Sequence, residues 1–200
     1  MPTNGKSTRC AREIEHTRRD ILDAAARVFA ESGFHEATMQ AIARGVGFTA
    51  ASLYTYFASK DEIYEALVDE LKSALLATFD ARVPAGLTFE QRLELLLQRQ
   101  FELLHARRNA LRMIFDLGPQ RPRRPGDGPL AFLERMQAFV AAAGPARLRL
   151  GAEDAGRFLF SLAHAAFLPI ICAPEAPFDP AREAERVVDL FLHGALATAA

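Results

Sequence analysis

The residues between Thr38 and Lys60 have the types and spacing of two short helices joined by a glycine turn. Such a pair needs a small residue where the helices cross, a residue that tolerates a left-handed backbone in the turn, and an apolar residue that locks the second helix onto the first. Ala43, Gly47 and Leu53 supply them in that order. The second helix then keeps a free outer face, whose N-terminal half can enter a DNA major groove about 12 Å wide. This helix-turn-helix spacing is not specific by itself, because glycine turns between helices are common.

No residue pattern in the sequence is typical of an enzyme or a metal site. The five histidines show no His-x-x-x-His spacing, and the two cysteines, Cys10 and Cys172, lie far apart. Gly45-Val46-Gly47 lacks the third glycine and the preceding strand of a dinucleotide-binding loop, and no serine elbow is present. The sequence therefore predicts a protein that is not an enzyme and needs neither a metal nor a cofactor.

The composition is that of a globular protein in a reducing compartment. Of its 200 residues, 50% are hydrophobic and 24% charged, with a formal net charge of -1, which excludes a disordered polyampholyte. The separated cysteines and the lack of an apolar secretory signal at the N-terminus predict a cytoplasmic location. The longest apolar run, Phe158 to Ala173, has 16 residues; a membrane-spanning helix needs about 20, so a buried helix is predicted here.

Positive charge is concentrated at the N-terminus. The first 19 residues contain five basic and two acidic side chains, which fits an arm that meets an anionic partner. A solvated tail would have the same composition, so both interpretations stay open.

The elements that position these residues are predicted to be helical almost throughout. Capped helix starts are predicted at Thr17-x-x-Asp20, Thr38, Thr49, Ser59-Lys60-Asp61-Glu62, Thr88-x-x-Gln91 and Asp179-Pro180. Together with apolar residues at helical spacing, they predict an all-α fold of about nine helices. The first helix is expected to run from Thr17 to a left-handed cap at Gly33, and the proline-rich segment from Arg121 to Pro129 is expected to be a loop.

The helix-turn-helix leads directly into another capped helix. Residues 14–79 resemble the DNA-binding domain of the TetR family of bacterial transcriptional regulators. The resemblance rests on Ile42-Ala43 before the turn, on Leu53-Tyr54-Thr55-Tyr56-Phe57, and on Lys60-Asp61-Glu62 at the next helix start. It implies a helix-turn-helix DNA-binding domain over residues 1–62, with a flexible basic arm over about 1–13, and a helical ligand-binding and dimerisation domain over residues 63–200.

The resemblance also implies DNA-contact roles for residues in and around the helix-turn-helix. The start of the second helix and the Lys60 ammonium would contact phosphate, the third helix would meet base edges, and a tyrosine hydroxyl would reach the backbone. The residues in these positions are Arg18, Arg19, Thr38, Thr49, Ala50, Ala51, Ser52, Tyr54, Tyr56 and Lys60. In the alternative interpretation the threonines are simple caps, and Tyr54 and Phe57 are core aromatics.

Ala50 and Ala51 depart from the family pattern, which often has longer polar side chains there. An alanine offers only a methyl group, which suits contact with thymine rather than hydrogen bonding. We therefore expect specificity to depend on Thr49, Ser52, the residues around Arg18 and DNA shape, and affinity to depend on phosphate contacts and on salt.

The helix from about Glu153 and the last helix are apolar on nearly every side. A helix of this kind must be buried on every side. A single chain of this size has too few other helices to surround two of them easily. We therefore expect a four-helix dimer interface, as the family resemblance also implies, with half-sites about 34 to 36 Å apart on DNA. The expected interface residues are Phe158, Leu159, Leu162, Ala166, Val187, Phe191, Gly194 and Ala195. The alternative is burial of both helices within one subunit.

In the family a small effector binds between the fourth helix and the later helices and releases the protein from DNA. Candidate lining residues here are Phe101, Leu104, His105, Met113, Phe115, Phe132, His164 and Phe167. They include few polar groups, so an apolar or aromatic effector is expected, although the same residues could be plain core. The sequence thus predicts a ligand-responsive repressor, and the alternative is a helical small-molecule-binding or interaction module that has lost specific DNA binding.

Overall fold

The computed structural model describes residues 4–117, 130–142, 148–173 and 175–194. Within these residues it contains nine helices and no strand, so the predicted all-α fold is confirmed. The helices are α1 (Asn4–Ser32), α2 (Met39–Val46), α3 (Ala50–Tyr54), α4 (Lys60–Asp80), α5 (Phe89–Ala106), α6 (Arg108–Leu117), α7 (Leu130–Ala141), α8 (Ala152–Cys172) and α9 (Pro180–His193). The predicted loop from Arg121 to Pro129 lies outside the described residues.

Most of the predicted helix caps are present. The Thr38 hydroxyl accepts from the Ala41 N–H and begins α2. Thr88 and Gln91 form the reciprocal capping box of α5, and the Asp179 carboxylate accepts from the first N–H groups of α9. Because each cap satisfies N–H groups that have no partner inside the helix, these short polar residues fix where the helices begin.

The predicted start of α1 at Thr17 is wrong, because the helix already begins at Asn4. Thr17 lies inside it, and its hydroxyl donates to the Glu13 carbonyl oxygen at 2.9 Å instead of capping an N–H group. The segment from Asn4 to Glu13, predicted as a flexible arm, is therefore helical. The predicted end is correct, since Gly33 has a φ of 77°.

The first compact unit consists of α1, α2, α3, the part of α4 up to Leu71, and α6. Its core residues come from all of these helices and include Ile21, Ile42, Leu53, Phe57 and Ile63, each at most 1% exposed. The predicted boundary lies after residue 62, whereas this unit continues along α4 to Leu71 and also contains α6.

The second compact unit consists of α4 from Lys72, then α5, α7, α8 and α9. Here α7 packs against α8, and α9 packs against α5 and α8. Gly156 permits a close approach of α7 and α8, because a Cβ atom there would lie 2.7 Å from the Gln137 Cα. By length and composition alone α8 could cross a membrane, although core helices of soluble proteins have the same properties. It is only partly buried, since Phe158 and Leu168 are exposed.

Candidate nucleic-acid interface

The turn between α2 and α3 has the geometry that the sequence predicts. Gly47 has a φ of 81°, a backbone conformation that costs a side-chain-bearing residue about 1–2 kcal/mol. The Phe48 N–H donates to the Ala43 carbonyl oxygen at 2.8 Å, which closes the turn. Ala43 and Leu53 are buried at the crossing of the helices, so α3 is fixed by its inner face.

The outer face of α3 carries hydroxyl and methyl groups. Thr49 and Ser52 are exposed, their side-chain oxygens lie 2.9 Å apart, and the Thr49 hydroxyl also accepts from the Ser52 N–H. Ala50 is half-buried and Ala51 exposed. Tyr54 is 54% exposed and is not a core residue. This face therefore offers two short hydroxyl side chains, one phenol and two methyl groups to a partner.

Two aromatic residues that follow α3 divide between core and surface. Phe57 is 1% exposed and belongs to the core of the first unit. Tyr56 is half-buried, and its ring stacks on Phe48 with a centroid distance of 6.1 Å. Of the alternatives left open by the sequence, the core role applies to Phe57 and not to Tyr54.

Arg18 and Arg19, adjacent in sequence, have different environments. The Arg18 Nη1 donates to the Tyr56 carbonyl oxygen at 2.7 Å, and its guanidinium lies over the Phe57 ring. Arg19 is exposed, and its Nε lies 3.5 Å from a carboxylate oxygen of Glu15. Only Arg19 of the two therefore presents most of its guanidinium to solvent.

The Lys60 ammonium, which is predicted to contact a phosphate, is hydrogen-bonded within the chain. Its Nζ donates to the carbonyl oxygens of Phe34 and His35, both at 2.8 Å, and of Ala37 at 3.2 Å. An ammonium has three donors. All three bond to carbonyl oxygens of the same chain. The sequence did not indicate these partners, because they lie more than 20 positions earlier.

Two of the predicted effector-lining residues belong to the first unit. Met113 is 3% exposed in the core of the first unit, and Phe115 on the same helix is exposed. Both lie on α6 in the first unit, whereas Phe101, Leu104, His105, Phe132, His164 and Phe167 belong to the second. That all eight line one site stays a prediction.

Five of the six predicted residues in the second unit make aromatic contacts, which form two groups. One row runs from Phe132 of α7 through Phe160 and His164 to Phe167 of α8, with ring centroids 5.9, 5.6 and 4.5 Å apart. Burial lowers the pKa of the His164 imidazole from its ordinary value of 6.5. We name these four residues the aromatic row.

A second aromatic group contains a residue that the sequence prediction missed. Phe178, just before α9, contacts the ring of Phe101 and stacks on His105. Leu104 is buried on α5, the helix that contains Phe101 and His105. The His105 Nδ1 is buried without a hydrogen-bond partner. Phe160 and Phe178 were not identified because each lies outside the helical stripes from which the lining was predicted.

The predicted dimer residues divide into exposed and buried sets. Phe158 is 51% exposed, Leu162, Ala166 and Phe191 are half-buried, and Gly194 is exposed. Leu159 and Val187 are at most 3% exposed. The interface prediction is corrected for these two residues, because a side chain already covered by its own chain cannot contact a partner. Ala195 lies outside the described residues.

The described residues contain no group of three or more histidine, cysteine, aspartate or glutamate side chains that could hold a metal ion. Three candidate binding surfaces lie among these residues: the outer face of α3, the aromatic groups of the second unit and the exposed side of α8.

Comparison with known proteins identifies relatives of the first unit. Residues 21–67 match the family model described as "Bacterial regulatory proteins, tetR family". The HTH-type transcriptional regulator UidR of Escherichia coli (strain K12) is 37% identical over 67 residues, 34% of each chain. The HTH-type transcriptional repressor KstR2 of Mycobacterium tuberculosis is 33% identical over 96 residues, 48% of each chain. The matched part thus spans about a third to a half of the length of these relatives.

The fold of the chain is also similar to that of solved regulators. The transcriptional regulator FadR of Bacillus subtilis, solved in complex with stearoyl-CoA, has a TM-score of 0.66 over 89% of this chain and 99% of that chain, at 18% identity. At this identity the likeness concerns the fold alone.

Proposed function

Because the chain belongs to the TetR family of bacterial regulatory proteins, we propose that it is a cytoplasmic transcriptional repressor. It binds a palindromic or pseudo-palindromic operator as a homodimer, and a small apolar or aromatic effector releases it. The observation that carries the proposal is the exposed outer face of α3, where Thr49, Ser52 and Tyr54 present hydroxyl groups. Its inner face is locked into the core by Leu53.

The operator is contacted mainly through its phosphates. We assign these contacts to five exposed residues: Thr38 at the start of α2, Thr49, Ser52 and Tyr54 at and in α3, and Arg19 of α1. Ala50 and Ala51 read at most thymine methyl groups, so sequence preference also depends on DNA shape. Binding supplied by phosphate contacts weakens steeply as salt is added.

The dimer forms through the exposed side of α8 together with α9. Phe158 and Leu168 of α8 and Leu190 of α9 are large apolar side chains exposed in the single chain. Exposed apolar side chains grouped on neighbouring helices are typical of an interface. A two-fold pair of chains would present two α3 helices to successive major grooves.

The effector binds in the second unit, against the aromatic row and the group around Phe178. Rings and aliphatic side chains dominate both groups, and the imidazoles of His105 and His164 supply the polar contacts. A protein of similar fold, FadR, was solved in complex with stearoyl-CoA. We therefore choose a long-chain acyl-CoA and a planar aromatic acid as the first effector probes.

The experiment that tests the function is fluorescence anisotropy with duplexes from the region upstream of the protein's own gene. We expect one duplex to bind at least about a thousand-fold more tightly than random DNA, to lose affinity with salt, and to be released by an effector probe. A protein that binds a probe but discriminates between no duplexes would instead be the small-molecule-binding module, which the two alanines of α3 allow.

A further inference from the structure

Three carbonyl oxygens from one turn converge on the first residue of α4. The turn runs from the end of α1 at Ser32 to Thr38, the cap of α2. Its Phe34, His35 and Ala37 carbonyl oxygens lie 2.8, 2.8 and 3.2 Å from the Lys60 Nζ. Ala37 directly precedes Thr38, so Lys60 is bonded to the residue next to the N-cap of α2.

The Lys60 ammonium has no donor left for another partner. It has three N–H groups and no acceptor, and three carbonyl oxygens take them up. Its Nζ also lies 4.8 Å from the centroid of the Phe34 ring, within the range of a cation–π contact. A DNA phosphate could bind this ammonium only by displacing one of these partners.

Lys60 is a positive charge at the N-terminus of α4. The N-terminus of a helix is its positive end and disfavours a cation. Asp61 and Glu62 in the first turn have the sign that this end favours, and Ser59 caps the Glu62 N–H at 3.2 Å. The charge of Lys60 is therefore unfavourable for α4 itself, whereas the three carbonyl oxygens of the turn accept hydrogen bonds from it.

We infer that Lys60 is a positioning residue, which attaches the start of α4 to the turn before α2 and so fixes where α2 and α3 stand for DNA binding. The inference rests on the proposed function, because it concerns the DNA-bound orientation of these helices. It differs from the phosphate contact that the family resemblance implies for this lysine.

Two substitutions in the full-length protein separate positioning from phosphate binding. Lys60→Met removes the charge and keeps the side-chain length. Lys60→Arg keeps the charge, which a phosphate would still bind, but replaces three converging ammonium donors with a planar guanidinium that does not reproduce them. Arg27→Met, which removes an exposed charge from α1, is the control for charge alone.

The readouts are the Kd for the best duplex at several salt concentrations and the Tm of the free protein. We expect both Lys60 variants to bind at least about ten-fold more weakly well below their Tm, since each loses hydrogen bonds to a charged donor. The dependence of log Kd on log salt should stay at the wild-type slope, and Arg27→Met should behave as wild type.

Two results would overturn the inference. In one, Lys60→Arg binds as wild type while Lys60→Met loses about 0.9 from the salt slope, the change expected for one lost phosphate contact. In the other, both variants lower the Tm but bind DNA with the wild-type Kd, so that the lysine stabilises the domain without orienting it.

Failure of the proposed function would be recognised separately, because the wild-type protein would then bind no duplex. The attachment is then judged by amide hydrogen exchange of the free protein at Ala41 and Ile42, whose N–H groups bond to Thr38. Faster exchange in both Lys60 variants supports it, and wild-type exchange in either variant overturns it.

Discussion

The guanidinium of Arg18 lies 4.1 Å from the centroid of the Phe57 ring, and its Nη1 donates to the carbonyl oxygen of the preceding residue, Tyr56. Arg18 belongs to α1, whereas Tyr56 and Phe57 lie just after Thr55, the C-cap of α3. The first helix thus holds the chain at the point where it leaves the third. Together with Lys60 at the turn before α2, Arg18 holds the helix-turn-helix at both ends.

Loss of the Arg18 contact is expected to destabilise the first unit. Arg18→Met keeps an apolar chain over the ring but removes a cation–π contact and a charged hydrogen bond, so we expect a loss of about 1–3 kcal/mol in the free energy of unfolding. Chemical denaturation measures it. Arg19→Met is the matched control, since its exposed ion pair contributes less than about 1 kcal/mol. Equal losses in the two variants would contradict the assignment.

Substitution of Gly47 tests the backbone of the turn. Gly47→Ala meets no atom within 4 Å, so any effect comes from the positive φ, and we expect a loss of about 1–2 kcal/mol in stability. Gly47→Asn should lose less, because asparagine adopts this conformation more readily. The comparison of the two midpoints of unfolding checks this, and an alanine variant as stable as wild type would refute it.

Removal of one hydroxyl tests the outer face of α3. Tyr54→Phe is expected to leave the Tm unchanged, because the ring is 54% exposed, and to weaken operator binding by about three- to ten-fold through one lost hydrogen bond. Anisotropy titration gives the Kd. In the matched variant Tyr64→Phe, a buried ring of α4 loses its hydroxyl, and there we expect the stability to change rather than the Kd.

A charge placed on the exposed side of α8 is expected to separate the dimer. Phe158→Glu would bury a carboxylate in an apolar interface, which costs several kcal/mol unless it is paired. Sedimentation velocity should then give a single chain for this variant, whereas we expect a dimer for the wild type. Ala138→Glu, at an exposed position of α7, should remain dimeric. A dimer that survives Phe158→Glu would place the interface elsewhere.

The half-buried imidazole of His164 makes stability depend on pH. Because burial lowers the pKa of His164 below 6.5, the folded chain holds this proton less tightly than the unfolded chain. The free energy of unfolding should therefore decrease as the pH falls through 6.5. Compared with His164→Gln, the wild type should lose more stability between about pH 7.5 and about pH 5.5. His16→Gln, at an exposed position, is the control, and parallel pH curves for wild type and His164→Gln would contradict the prediction.

Local sequence patterns predicted the parts of the fold that local interactions determine. The caps at Thr38, Thr88 and Asp179 bond to N–H groups within three residues, and Gly33 ends α1 through its own backbone conformation. The same reasoning failed at Thr17, because a threonine inside a helix can bond backward to a carbonyl oxygen as well as forward to an N–H group.

Contacts between distant parts of the chain could not be read in this way. The partners of Lys60 lie 23 to 26 residues away, and nothing in its local sequence distinguishes them from a phosphate. Likewise, the apolar stripes of α6, α8 and α9 predict burial but do not say what covers each residue. Met113 is therefore in a different core from the one expected, and Leu159 and Val187 are covered by their own chain.

The contact at Gly156 also restricts how an effector could act. Only a hydrogen atom fits between position 156 of α8 and the backbone of Gln137 in α7, and the dense packing there leaves no room for the two backbones to move closer. Phe132 and Phe160 meet farther along the same pair of helices. A molecule that wedges those rings apart would therefore tilt α7 and α8 about Gly156, and the displacement of α8 would increase from Phe160 toward the end of the helix at Cys172.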